Sequence, residues 1–160
     1  MSVIAVKLED NNISVAADSI LIKGDMKKTN FQKIQKINDM IVGGCGSAEE
    51  LSLFFLFVQE HVLTDVSVKG VTDYMFEFSC FKETYTDKKE LENEYIICYD
   101  KRVFEASGLF VQEIFEFTAL GEGEPFALAA LKLGHTVKEA VQVACAFCTN
   151  VSEPIVQLFI

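Results

Sequence analysis

The alternation of apolar and polar positions already separates strands from helices along this chain. Val3, Ile4, Ala5 and Val6 are apolar on both faces of an extended segment, which predicts a strand buried between two layers. The polar run Glu9-Asp10-Asn11-Asn12 predicts a turn, and Ile13, Val15 and Ala17 alternate along the return strand. A polar loop follows, and then Ile34 and Ile37 alternate with polar residues across 31–37. Asn38-Asp39 marks a turn into a short apolar strand at 40–44.

Helical spacing begins at Ser47-Ala48-Glu49-Glu50, a capping-box pattern that predicts a helix from there to about residue 62. Leu51, Leu53, Phe54, Phe55, Leu56, Phe57 and Val58 make this helix apolar nearly all round, so it is either sandwiched or an oligomer surface. Tyr74, Phe78, Phe81 and Tyr85 fall at helical spacing and predict a second helix with this stripe in the core. Strands are predicted at 94–100, 102–107, 109–113 and 115–120, with turns at Asp100-Lys101 and Ser107-Gly108. Pro125 suits a first helical turn, and Gly134 stops that helix after Leu133. Thr136 and Glu139 repeat the capping-box spacing for a helix to about residue 149, and 155–160 reads as a last strand. The order is strands, two helices, strands, two helices, strand. It predicts an α+β fold of two sheets covered by helix pairs, four layers in one domain spanning 1–160.

Composition narrows the function classes. Half of the 160 residues are hydrophobic, with fourteen Phe and two Pro, as expected of a chain with a sizeable core. The formal net charge of −10 leaves no basic footprint for nucleic acid. The apolar run at 51–58 is too short to span a bilayer, and nothing resembles a signal peptide, so a soluble, cytoplasmic protein without a membrane partner is expected. Five scattered cysteines suit a reducing compartment and buried free thiols, Cys145-x-x-Cys148 included.

Only two histidines, His61 and His135, are present, so a Ser-His-Asp triad or a His-rich zinc site is poorly supplied. No phosphate-binding glycine motif occurs. A nucleophile that needs no histidine is a chain-terminal Ser or Thr, whose own α-amine (pKa about 7.7–8.0) accepts the hydroxyl proton. A lysine near by favours the neutral amine, a carboxylate positions that lysine, and N–H groups at a helix start hold an oxyanion. Ser2 stands sixteen residues before Asp18, and the hairpin between them brings the two ends together.

Several segments then resemble one family in collinear order. The run NFQKIQKINDMIVGGCGSAEE is similar to the proteasome β subunit and its bacterial relative HslV, as are AADS, YDKRVFEASGLFVQE and LGEGEPFALAALKLG. The resemblance covers Ser2 to Ile160 and implies the αββα sandwich of N-terminal-nucleophile hydrolases. It implies Ser2 as nucleophile once Met1 is removed, Lys33 as the lysine that assists it, Asp18 as the partner of that lysine, and Gly46 as the oxyanion-hole glycine. Gly44 would floor a roomy specificity pocket, with Phe31 beside it. The resemblance further implies a peptide or unfolded-protein substrate, a ring homo-oligomer and an ATP-dependent unfoldase partner. No cofactor is required, and a sodium ion near Thr149 is an HslV-like expectation.

Three departures accompany this register. The nucleophile is serine where most of the family has threonine. The family's GSG reads Gly121-Glu122-Gly123, and a carboxylate there favours the protonated amine. The aspartate before the proteasome's S-G-G turn has no match, and Thr149 stands at that point, where HslV also has Thr-Asn. Two other readings stay beside the peptidase: a catalytically inactive homologue with a structural or assembly role, and a hydrolase of small amides on the same fold.

Overall fold

The computed structural model describes residues 2–10 and 12–160. Met1, on whose removal the expected nucleophile depends, lies outside the described residues. The first hairpin forms as expected from β1 (Ile4–Glu9) and β2 (Asn12–Asp18), with Ile4 opposite Ala17. The polar loop after it holds an unanticipated small hairpin, β3 (Leu21–Lys23) and β4 (Met26–Lys28). β4 is exposed throughout, so it carries no apolar alternation by which a sequence reading could find it. β5 (Ile34–Ile37) and β6 (Met40–Cys45) meet through Asn38 and Asp39, whose φ of 50° and 61° are those of a tight two-residue hairpin.

α1 (Ala48–Glu60) and α2 (Val68–Thr86) come next, followed by β7 (Glu94–Tyr99), β8 (Arg102–Ser107), β9 (Phe110–Ile114) and β10 (Phe117–Leu120). α3 (Glu124–Lys132) carries Pro125 in its first turn, and α4 (Val137–Phe147) has the full Thr136–Glu139 capping box. β11 (Ile155–Phe159) closes the chain.

One sheet runs β10-β1-β2-β11 and the other β5-β6-β7-β8-β9. Ile4, Val6, Val15 and Ala17 face Ile34, Ile41, Ile96 and Cys98 of the second sheet, forming the middle of the core. Val3, Ala5 and Ala16 point the other way, against Ala127, Ala130, Ala140 and Ala144 of α3 and α4. Val42, Tyr95, Ile97 and Phe104 pack under Phe54, Phe57, Tyr74 and Phe78 of α1 and α2. Helices, sheet, sheet, helices: the fold is the four-layer αββα sandwich. Burial on both sheet faces is why β1 is apolar without alternation.

Some side chains depart from expectation. Leu51, Phe54, Phe55, Phe57 and Val58 of α1 are buried within the chain, so sandwiching accounts for most of its apolar surface, while Leu53 is half-buried and Leu56 exposed. Of the α2 stripe, Tyr74 and Phe78 are core, Phe81 is half-buried and Tyr85 is exposed, its ring tilted against Phe81 at 5.0 Å between centroids. Of the five free cysteines, Cys80 and Cys145 are half-buried and not fully enclosed.

The first capping box is only half made. Ser47 Oγ accepts from the Glu50 N–H at 3.4 Å, but the Glu50 carboxylate turns into the core. There it accepts from Lys82 Nζ at 2.5 Å, the Tyr95 hydroxyl at 2.5 Å, and the N–H groups of Asn93 at 2.9 Å and Glu92 at 3.0 Å. Burial pushes the Glu50 carboxyl up, and these four donors outweigh it and hold it below the ordinary carboxylate range. Its charge therefore stabilises the fold fully above the unfolded pKa of about 4.3, and that stability is lost as pH falls through the lower folded value. In urea titrations between pH 7 and pH 3, Glu50→Gln is expected to show a shallower acid loss of stability than the wild type. Lys82→Met, which strands the carboxylate, is expected to cost about 3 kcal/mol at pH 7.

Candidate active site

Asp18 ends β2 where the hairpin register sets it against the start of β1. Its N–H donates to the Val3 carbonyl at 3.3 Å, and the Val3 N–H donates back to Asp18 Oδ1 at 2.8 Å. The Ile20 N–H donates to Oδ2 at 3.4 Å. Lys33 lies immediately before β5 on the opposite sheet, and its Nζ sits 2.8 Å from Oδ1 and 2.7 Å from Oδ2. The two side chains are 3% and 0% exposed, so the ion pair bridges the sheets out of contact with water. Taken alone, the polar alternation at 31–37 makes Lys33 a solvated charge; the bend before β5 turns it inward.

Ser2 precedes Val3 and is 4% exposed. Its carbonyl accepts from the Gly123 N–H at 3.1 Å, which packs the loop between β10 and α3 onto it. Gly121 has φ +89°, and a Cβ there would lie 2.6 Å from the Ser2 carbonyl oxygen and 3.0 Å from Cys45 Sγ. The Gly121 N–H donates to Glu94 Oε2 at 3.1 Å, tying the loop to the start of β7. Glu122, between the glycines, is exposed and accepts from Asn150 Nδ2 at 3.0 and 3.3 Å.

Cys45 ends β6 with Ser2 as a side-chain hydrogen-bond partner and with Lys33, Glu94 and Asp18 in its electrostatic surroundings. Burial pushes its thiol up to about 12, against the pull of Lys33 and the Ser2 hydroxyl. Sulfur reacts as thiolate, so a thiol held this high is no competing nucleophile near neutral pH. Gly46 follows with φ +138° and is exposed at the mouth of α1. The structure thus gathers Ser2, Asp18, Lys33 and the Cys45-Gly46 turn into one place.

The remaining expected positions lie around it. A Cβ on Gly44 would meet Leu51 Cδ1 and Tyr95 Cδ1 at 3.1 Å and the Glu94 carbonyl at 3.0 Å, so the space on that side is occupied. Phe31 is half-buried against the same cluster, its N–H donating to the Ser19 carbonyl at 2.9 Å. Thr149 is exposed in the turn after α4, and the adjacent Cys148 carbonyl accepts from the Val151 N–H at 3.4 Å. Among the described residues no three His, Cys, Asp or Glu side chains cluster to hold a metal ion. A sodium ion there rests on the resemblance alone. Glu94 and Asn150 were not singled out by the sequence: each acts here through a partner far away in the chain.

No protein-family model matches the chain, and no curated protein sequence does. Solved structures do. Thiobacillus denitrificans BPH superposes with a TM-score of 0.86 at 24% identity, over 99% of this chain and 97% of that one. A structure of the same protein in complex with Epoxomicin gives 0.86 at 21% identity, over 99% and 97%. The eukaryotic HslV of Trypanosoma brucei gives 0.74 at 19% identity, over 98% of each chain. The fold is of the proteasome β and HslV type. Within that fold, the loop at 121–123 is fitted to Ser2 by size. Gly121→Ala is expected to destabilise the protein by ~1–3 kcal/mol more than Gly134→Ala. Gly134 has a similar φ of +93° but open space around its Cβ position. Paired urea unfolding curves separate backbone strain, common to both variants, from the contact with Ser2.

Proposed function

We propose that the chain is a proteasome- and HslV-like peptidase subunit that cleaves peptide bonds with Ser2 as an N-terminal nucleophile, after removal of Met1. The observation that carries this reading is the buried Lys33–Asp18 pair, whose carboxylate also holds the N–H of Val3, the residue after Ser2. The complex of BPH with Epoxomicin is a property of that protein and supports the same class of chemistry here.

In this reading the Ser2 hydroxyl passes its proton to its own amine as Oγ bonds to the substrate carbonyl carbon. Lys33, fixed by Asp18, disfavours a second positive charge near by and keeps the amine neutral, able to accept a proton, near neutral pH. The Gly46 N–H, at the positive end of α1, receives the oxyanion. The carbon–nitrogen bond then breaks, and the amine of Ser2 returns its proton to the leaving group. Water, deprotonated by the same amine, cleaves the resulting ester and restores Ser2. The neighbours' fold supports self-assembly into a ring; an ATP-dependent unfoldase as feeder and a cytoplasmic site of action belong to the proposal alone. Among the described residues no helix is long and apolar enough to cross a membrane.

Glu122 is the observation that favours the second reading, an inactive homologue with an assembly role, because its carboxylate stabilises the protonated amine. Intact mass decides between them. The native protein is expected to begin at Ser2 and to gain one adduct there with a peptide epoxyketone, and Lys33→Ala is expected to slow this at least ~100-fold. A free Ser2 amine with no adduct overturns the peptidase. Glu122→Ser is expected to raise the rate roughly two- to tenfold and to move the acid limb of its pH profile to lower pH.

A further inference from the structure

Asn93, immediately before β7, is 1% exposed. Its side-chain amide holds Ser47 on two sides: Oδ1 accepts from the Ser47 N–H at 2.5 Å, and Nδ2 donates to the Ser47 carbonyl at 2.9 Å, with the Tyr95 hydroxyl as a further side-chain partner. The start of α1 does not need this. The Ser47 carbonyl already accepts from the Leu51 N–H at 3.0 Å, and Ser47 Oγ caps the Glu50 N–H. What the second pair of bonds adds is orientation. Gly46 sits directly before Ser47 at φ +138°, and a Cβ on it would overlap the Asn93 amide. The turn at 45–47 therefore rests on Asn93.

Asn93 is held in its turn. Its own N–H donates to Glu50 Oε1 at 2.9 Å, and that carboxylate is fixed by Lys82 and the Tyr95 hydroxyl. A continuous chain of buried polar contacts runs from α2, through Glu50 and Asn93, to the residue that follows Gly46.

We propose that Asn93 is the positioning residue of the oxyanion hole, aiming the Gly46 N–H by fixing Ser47 on both its N–H and its carbonyl. The proposal rests on the peptidase reading. An oxyanion donor counts only where charge develops on oxygen, and losing one costs roughly 100- to 1,000-fold in rate. Misdirecting it through Asn93 should cost roughly ten- to a hundredfold.

The test compares two probes of one peptide on the protein with a free Ser2 amine. An epoxyketone is attacked at its carbonyl and forms an oxyanion. A vinyl sulfone is attacked at its carbon–carbon double bond, and the charge develops on carbon beside the sulfone. Asn93→Ala is expected to lower kcat and the epoxyketone rate by roughly ten- to a hundredfold, with KM and the vinyl sulfone rate within about twofold of wild type. Asn93→Asp keeps the shape and the acceptor for the Ser47 N–H but loses the donor. It is expected to shift the same two quantities, and it carries the comparison if the alanine variant does not fold. Equal loss with both probes, or loss with neither, overturns the role of Asn93 while the peptidase stands. Wild-type protein labelled by neither probe overturns the peptidase itself, and this role with it.

Discussion

A carboxylate out of reach of water keeps its charge only if the protein supplies donors, and Asp18 obliges three separate segments to do so. Two of its hydrogen bonds come from Lys33, one from the Val3 N–H and one from the Ile20 N–H. The first hairpin, the exit from β2 and the approach to β5 are thereby fixed relative to one another. Leaving either partner of such a pair alone in the core costs about 3–5 kcal/mol, so these segments cannot shift separately. Ser2 is placed by this constraint, because Val3 is its neighbour in the chain. The same pair that joins the sheets also sets a positive charge beside the N-terminal strand.

A second buried lysine–carboxylate pair, Lys82 with Glu50, works on the other side of the Cys45–Ser47 turn. It joins α1 and α2 to the segment before β7, through the N–H groups of Glu92 and Asn93. One pair secures the strand that carries Ser2, and the other secures the helix start facing it. Between them lies Cys45, whose enclosed thiol is held too high to react near neutral pH. Glycine is required where the two frameworks touch: at Gly121 against the Ser2 carbonyl, and at Gly46 against Asn93.

The layer order was legible because it rests on local patterns. Unbroken apolar positions in β1, the Asn38-Asp39 and Asp100-Lys101 turns, Pro125 and the Thr136–Glu139 box each act within a few residues. The Ser2, Asp18, Lys33 and Gly46 set was legible only through family register, since no local rule distinguishes Lys33 from the solvated lysines around it. What stayed hidden depends on partners distant in sequence. Glu50 looked like half of a capping box because Lys82 lies 32 positions away, and Asn93 looked like a loop residue because its partner Ser47 lies 46 positions away. The β3–β4 hairpin was missed for the opposite reason: it buries too little to leave a pattern.

Magnitude weighs the active reading against the inactive one. Lys33 reaches the N-terminal strand as half of an ion pair, and the opposite charges 2.7 Å apart partly cancel at a distance. In the proposed peptidase a single further carboxylate near the Ser2 amine therefore counts. Glu122, however, is exposed and shared with Asn150. A charge in water acts on a neighbour with about 1 kcal/mol at 4 Å, which is under one unit of titration. In the proposed peptidase such an interaction would lower the fraction of neutral amine by less than about tenfold near neutral pH. On the proposed peptidase reading Glu122 would tune the base without removing it, and removal of Met1 becomes the decisive variable.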